Sequence, residues 1–374
     1  MAGVAAGGEN RSEGFSGVAP LSEIVFVKCK QAKKSYRRYY GIPENVDAFQ
    51  ENDIMAGISF ILQVAKRERK PVIVCLGIGS NMGTHSGGTN LTVFMERYTA
   101  VSGVAMVSSA GNEGNARHHH SIHTRNDVIN INVEKNIDGF MAQLWWQTPG
   151  TLELSITSPR GENVEGIRAL SGERYSHRFQ PENTVVDIYF GVAQELTRQQ
   201  VVVFRFQSVR AGIWKIGVKS DFDDPKYNMW LPIREFLSSP VEFLQPDPDI
   251  TICNPGNGTY TLTVSAYDVV ENALYLQASR GFTTSGMVKP DIVAPGVNIV
   301  GPYPRNQYGT MSGTGVAAAF SAGVAALFMQ QYGVSSGIAL REVFIRGVTP
   351  RGVPYPNTEW GFGVLNAYES LLPG

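Results

Sequence analysis

The hydrophobic positions of the first 110 residues follow a layered α/β pattern. Apolar residues recur at helical spacing over Ile54–Lys70, which predicts a helix. Continuous apolar runs at Pro71–Leu76 and Val104–Ser108 are typical of buried parallel strands, and Leu91–Ser102 between them predicts a second helix. Leu21–Lys30 is rich in β-branched residues and predicts an earlier strand. Alternating strands and helices indicate an α/β sheet, whose ligands bind at the carboxyl ends of the strands.

The pattern changes near Asp127 and stays different to about Asp249. Short stretches of alternating apolar and polar residues predict an all-β block, a sandwich or jelly roll. Since neighbouring strand residues point to opposite faces, we expect one of Trp145 and Trp146 in the core and the other at the surface. The stretches are INVEK, FMAQLWWQ, LELSITS, VVDIYFGV, QVVVFRFQ and GIWKIGVKS.

The α/β pattern returns after Pro255. Tyr260–Ala266 and Asp291–Gly296 predict strands, and the small apolar residues of Val316–Gln331 predict a buried helix. We therefore expect an α/β fold, a three-layer parallel sheet with an inserted all-β jelly-roll domain. The predicted division is a first core part over residues 1–126, the insert over 127–249 and a second core part over 250–374.

Composition excludes several classes of protein. The 374 residues are 43% hydrophobic and 17% charged, with a net charge of −1, so the chain is globular and has no basic excess for nucleic acid. No apolar run is long enough to cross a membrane, and residues 1–20 lack the features of a secretory signal. Three scattered cysteines, Cys29, Cys75 and Cys253, indicate reduced thiols and, weakly, an intracellular protein.

Four segments carry the candidate chemistry. Tyr308–Leu327 resembles the nucleophile motif of subtilisin-like serine proteases, commonly Ser-Gly-Thr-Ser-Met/Val-Ala at the start of a buried helix. Ser109–Gly114 resembles the strand end of the oxyanion hole, and Ala278–Gly296 the segment before the nucleophile. Met1–Gly7 resembles the helix that follows the catalytic histidine in the family pattern His-Gly-Thr-X-Val-Ala-Gly. The resemblance implies a subtilisin-like sheet.

The resemblance also implies a degenerate site. The motif places Gly315 at the nucleophile position, and glycine cannot form an acyl-enzyme. Asn112 matches the oxyanion-hole amide, although a turn residue between glycines is the alternative interpretation. Leu76, Gly77 and Gly111 are expected to line the cleft. The sequence begins inside the helix after the histidine, so we expect the histidine and aspartate segments to be absent.

A narrower resemblance links the chain to the clostridial germination proteases, the Csp group. It rests on Gly79–Gly88, on the histidines after Asn115, and on Trp214 and Met229–Pro232 of the insert. That group acts on, or regulates, processing of a spore-cortex hydrolase. The resemblance implies a catalytically inactive relative that binds a protease or its substrate, without nucleic acid, membrane, metal or cofactor, in an intracellular or spore-associated location. The alternative is a subtilase endopeptidase whose missing residues come from elsewhere, such as a partner chain.

Other reactive side chains are given structural roles. Ser312 is expected to bond to a turn rather than replace the nucleophile. His118–His120 and His123 are expected in an exposed loop rather than around a metal ion, and His85 on a loop at the cleft rim. Cys75 is expected to be a small buried hydrophobe at a strand end.

Overall fold

The computed structural model of the chain describes residues 1–147, 151–191, 198–222, 225–333 and 335–371. Helices in these ranges are α1 (Ala2–Ala6), α2 (Lys34–Tyr40), α3 (Glu51–Glu68), α4 (Asn90–Thr99), α5 (Thr314–Tyr332), α6 (Gly337–Arg346) and α7 (Ala367–Ser370). The strands are β1 (Val72–Leu76), β2 (Val104–Ser109), β3 (His119–Ile122), β4 (Asn126–Val133), β5 (Ile137–Gln147), β6 (Leu152–Thr157), β7 (Asn163–Arg168), β8 (Arg174–Phe179), β9 (Thr184–Phe190), β10 (Gln199–Val209), β11 (Gly212–Ser220), β12 (Tyr227–Trp230), β13 (Val241–Phe243), β14 (Leu262–Asp268), β15 (Ala273–Leu274), β16 (Ile292–Pro295), β17 (Ile299–Tyr303) and β18 (Gln307–Met311).

A parallel sheet of β1, β2, β14 and β16 forms the middle layer of the α/β part. Apolar residues of α5 and α6 pack on one face, and those of α3 and α4 pack on the other. The α5 helix is apolar on all sides because it is buried along most of its length. These helices and strands confirm the three-layer α/β fold that the sequence predicts.

The strand predicted over Leu21–Lys30 is wrong. Residues 23–30 pair with no strand among the described residues. Leu21 and Phe26 are 91% and 76% exposed, whereas the Val27 side chain packs against Gly57 of α3. Exposed and partly buried side chains therefore alternate in the structure, as the sequence pattern predicts. A strand also needs a hydrogen-bonded neighbour, which the pattern does not specify.

Two antiparallel sheets occupy the middle of the chain. One has the order β3-β12-β5-β10-β9-β8 and the other β13-β4-β11-β6-β7. One apolar cluster, which includes Phe204, Trp214 and Phe243, contains residues from both sheets. The β3 strand belongs to the first sheet although it precedes residue 126, and the domain division itself stays a prediction. Val192, the last residue of one predicted stretch, lies outside the described residues.

The outer face of the six-stranded sheet is partly covered by the α/β part. The Gly83 backbone N–H donates to Gln143 Oε1 at 2.8 Å, and Arg205 Nε donates to the Tyr39 carbonyl at 2.9 Å. Trp145 and Trp146 are therefore both buried, at 4% and 3% exposure. The expectation that one of them lies at the surface is wrong, because it considered the sheet without its cover.

Candidate active-site cleft

The ends of two parallel strands and the start of one helix meet at a single place. Gly77 follows β1, Gly111 and Asn112 follow β2, and Gly315 lies in the first turn of α5. The hairpin of β17 and β18 leads into α5, and Gly313, at φ 138°, donates its N–H to the Gly296 carbonyl at 2.8 Å. This is the carboxyl edge of the sheet, where α/β proteins bind their ligands.

Gly315 faces the side chain of Met1. A Cβ on Gly315 would lie 3.3 Å from both Met1 Cε and Met1 Sδ, and 3.5 Å from the Gly77 Cα. A Cβ on Gly77 would collide with the same thioether. Met1 is the residue before α1, and its side chain therefore lies between Gly77 and Gly315. An apolar thioether thus occupies the space in front of Gly315.

Asn112 is held by the first residue of α5. Its Oδ1 accepts hydrogen bonds from the Thr314 backbone N–H and from Thr314 Oγ1, both at 3.1 Å. Thr314 Oγ1 in turn accepts the Gly111 N–H at 3.1 Å. These bonds fix the amide plane of Asn112 and turn its Nδ2 toward Gly313. Asn112 is therefore a rigid part of the cleft wall, whichever of its two interpretations applies.

The space beside the strand ends is filled by Cys253. Its Cβ lies 2.8 Å from the position of a Cβ on Gly79, and its Sγ would collide with a Cβ on Gly111. The thiol is buried and lies 3.4 Å from Asn81 Oδ1. Burial, with the Glu113 carboxylate nearby, raises the pKa of Cys253 well above its usual range, so the thiol stays neutral. The Cys253 side chain therefore leaves no space for a bound peptide between Gly79 and Gly111.

Glu113 connects the cleft wall with the segment that follows β12. Its Oε2 lies 2.5 Å from His118 Nδ1 and accepts from Asn81 Nδ2 at 3.1 Å, while its Oε1 accepts the Arg234 N–H at 3.2 Å. Glu113 and His118 are both buried. A buried carboxylate needs this number of donors, because an unpaired charge away from water is costly.

The histidines are not in an exposed loop. His118, His119 and His120 are buried, and β3 begins at His119; only His123 is exposed. His85 is buried too, and its ring stacks on Trp230 with centroids 3.9 Å apart, while His119 stacks on Trp230 at 4.9 Å. The expectation of an exposed loop is wrong for His118, His119 and His120, because the sequence does not show which distant polar groups will bond to their rings. His85 does lie in a loop, although it is buried, and His123 is exposed.

The remaining candidates do not face Gly315. Ser312 Oγ accepts the Asn298 N–H at 2.9 Å and is thus bonded to a turn. Cys75 is half-buried at the strand end, and burial raises the pKa of its thiol to about 12. Among the residues that the structure describes, no three side chains of His, Cys, Asp or Glu are grouped as metal ligands. In the same part of the chain, no helix has the length and apolar character to cross a bilayer.

Comparison with known proteins defines the class. The fold is that of the Clostridium perfringens CspB protease: the solved structure has a TM-score of 0.86 and 24% identity, and the match covers 99% of this chain and 79% of that one. The subtilase family profile matches residues 1–157 and 246–363. The chain therefore belongs to the subtilase family, and the described strands between these ranges, β7 to β13, belong to the two antiparallel sheets.

The curated relatives match shorter segments. The serine protease AprX of Bacillus subtilis (strain 168) is 35% identical over 144 residues, which is 33% of this chain and 32% of AprX. M-protease of Shouchella clausii (strain KSM-K16) is 40% identical over 78 residues, 21% of this chain and 20% of the relative. The matched part thus spans a third or less of these relatives.

Proposed function

We propose that this chain is a non-catalytic subtilase that acts by binding a protein or peptide, either a protease relative or that protease's substrate. The observation that carries the proposal is that Gly315, which the sequence motif assigns to the nucleophile position, faces the Met1 thioether rather than an imidazole. A serine protease needs a hydroxyl and a base within hydrogen-bond reach of each other. A hydrogen and a thioether can neither attack a carbonyl nor accept a proton at neutral pH.

Among the described residues, the candidate groups near Gly315 do not replace the missing pair. Ser312 is bonded to the Asn298 N–H, away from Gly315. The two thiols near the cleft, Cys75 and Cys253, have raised pKa values and stay protonated. Asn112 and the α5 N-terminus remain in place, but oxyanion donors without a nucleophile have no intermediate to stabilise.

Covalent labelling tests the catalytic part. The purified chain is incubated with a fluorophosphonate probe beside an active subtilase, and peptide hydrolysis is measured in parallel. We expect no labelled serine and no turnover. Gly315→Ser should also give neither, because Met1 cannot take the hydroxyl proton; removing the serine of such a triad costs on the order of a millionfold in turnover, and restoring it without a base does not recover that factor.

A labelled serine in the unmodified chain would overturn the proposal. Hydrolysis that disappears in Ser312→Ala would favour the alternative, an endopeptidase completed by residues outside this chain. Ser108→Ala is the matched control, since that hydroxyl is buried in β2 and faces its own strand.

We further propose that the bound protein belongs to spore germination, on the resemblance to the Csp group. Leu76, Gly77 and Gly111 lie at the carboxyl edge of the parallel sheet, where α/β proteins bind their ligands, and this position supports a role in holding a peptide. The test adds this chain, in stoichiometric amounts, to an active Csp protease cutting the precursor of a cortex hydrolase. We expect a changed rate of cleavage, and an unchanged rate at tenfold excess of this chain contradicts the germination role.

A further inference from the structure

A tyrosine- and arginine-rich surface lies away from the cleft, where α2 meets the six-stranded sheet. We call Lys34, Tyr36, Arg38 and Tyr39 of α2, with Arg174 of β8 and Tyr189 of β9, the Tyr–Arg surface. We propose that it binds an acidic segment of a partner protein. The inference does not depend on Gly315 and goes beyond the proposed function.

The exposed side chains of the short helix α2 are held in place because the buried Arg37 bonds to the loops on both sides of the helix. Arg37 is buried, and its guanidinium donates to the carbonyls of Ala32, Pro43 and Val46 at 3.2, 3.0 and 2.7 Å. The remaining residues of α2 are exposed, including Tyr36 at 48% and Tyr39 at 39%. The surface is thus preformed, which lowers the entropic cost of binding.

The insert continues the same surface. The Arg205 guanidinium lies over the Tyr39 ring at 4.8 Å, and its Nε donates to the Tyr39 carbonyl at 2.9 Å. Arg174 lies over the Tyr189 ring at 5.1 Å. Cation–π contacts of this kind keep the guanidinium groups close to the rings while leaving their edges open for further bonds.

The surface carries excess positive charge. From Ile24 to Pro43, between Glu23 and Glu44, the sequence has no acidic residue and six cations, five of them not buried, in a chain whose net charge is −1. The carboxylate within the surface, Asp187, is buried and already bonded to Arg174 at 3.0 Å and Arg205 at 3.3 Å. Glu44 approaches Lys34 only at 4.0 Å, with both side chains largely exposed, so this pair contributes little.

The partner follows from this chemistry. Arginine binds carboxylates through two parallel N–H bonds, and tyrosine gives a large, rigid contact area; both residue types are enriched at the energetic centres of protein interfaces. Nucleic acid is the less suitable ligand, because Asp187 lies among the cations and the whole chain lacks the positive field that attracts phosphate. An acidic protein segment fits better.

The experiment uses a fluorescein-labelled 16-residue peptide with eight Asp or Glu residues, and an oligothymidylate of equal charge. Lys34→Glu/Arg38→Glu changes the Tyr–Arg surface. Lys215→Glu/Lys219→Glu is the control with the same change in charge, on exposed positions of β11 in the opposite sheet. Circular dichroism and thermal unfolding check that both variants fold.

We expect the peptide to bind the unmodified chain with an affinity that falls as salt rises. The α2 double variant should bind at least about tenfold more weakly, and the β11 variant should stay within about twofold. Arg174→Gln should also weaken binding, because the surface spans both parts of the molecule. Equal losses in the two double variants, tighter binding of the oligonucleotide, or no saturable binding of the peptide would each overturn the inference.

Discussion

At the scale of single residues, stability depends on a cluster of buried charges formed by Lys289, Asp291 and Arg341. Lys289 is fully buried, and its Nζ donates to Asp291 Oδ2 at 2.6 Å and to the Thr261 carbonyl at 2.8 Å. Arg341 donates twice to Asp291 Oδ1, at 2.9 and 2.6 Å. Burial lowers the pKa of Lys289, while the Asp291 carboxylate opposes that shift because it stabilises the charged ammonium.

Asp291→Asn should therefore be costly. The change leaves the Lys289 ammonium and the Arg341 guanidinium facing a neutral amide, and breaking a buried pair in this way costs about 3–5 kcal/mol in the free energy of unfolding. Lys289→Met is the matched control, because Asp291 keeps both bonds from Arg341; its loss should be about 1–2 kcal/mol. Urea unfolding measures both. Equal losses in the two variants would show that the carboxylate does not hold the cluster together.

At the scale of elements, three consecutive histidines and one loop histidine join the two parts of the molecule. His119 Nδ1 lies 3.2 Å from the Asp247 carbonyl, and His120 Nδ1 lies 2.6 Å from the Gln245 carbonyl, in the segment that returns the chain to the α/β part. His85 lies between the carbonyls of Ile252, at 3.0 Å, and Asn81, at 3.1 Å. Ring stacking on Trp230 connects His85 with His119.

Acid should weaken this junction. Burial lowers the pKa of His85 to about 4, although its two backbone carbonyls favour the charged ring; burial lowers the pKa of His119 as well. In the unfolded chain both rings take up a proton near pH 6.5. The unfolded state therefore binds more protons between pH 6.5 and 4, and the free energy of unfolding falls as the pH falls through that range, by about 3 kcal/mol for His85 alone.

His85→Gln removes this titration. The variant should be less stable at pH 7, because it loses the stack on Trp230, but its stability should fall less between pH 6.5 and 4. His123→Gln is the control, since His123 is exposed. Urea midpoints at several pH values provide the comparison. An unchanged pH dependence in His85→Gln would mean that other groups set the acid sensitivity.

The elements also show what sequence patterns can and cannot predict. The predicted runs Pro71–Leu76 and Val104–Ser108 match the bounds of β1 and β2 to within one residue. A short, continuous apolar run between helices is typical of a parallel strand that is buried on both faces. The motif around Gly315 can be recognised because its residues are adjacent in the sequence, and its assignment to the nucleophile position stays a prediction. The Met1 side chain in front of it, the partner that Leu21–Lys30 lacks and the cover over Trp145 depend on contacts between distant residues, which periodicity does not encode.

At the scale of the whole molecule, Trp230 links the two parts. Its ring, 1% exposed, lies between His85 of the α/β part and His119 of β3, and its Nε1 donates to the Ile250 carbonyl at 3.0 Å. Gln143 and Arg205 add bonds across the same boundary. Two units that share a buried aromatic stack lose contacts on both sides when either one unfolds, so they should unfold together.

We therefore expect one calorimetric transition for the unmodified chain, and two for Trp230→Ala. Removing this side chain lowers the free energy of unfolding by about 3–5 kcal/mol, as for other buried aromatics. The contacts that are lost are those between the two parts of the molecule. Trp214→Ala is the matched control: Trp214 is fully buried between the two antiparallel sheets, so its loss should lower the midpoint but keep a single transition. Two transitions in the unmodified chain, or two in Trp214→Ala and one in Trp230→Ala, would place the coupling elsewhere. One transition in all three proteins would show that the other bonds across the boundary, including those of Gln143, Arg205 and Glu113, hold the parts together without the stack.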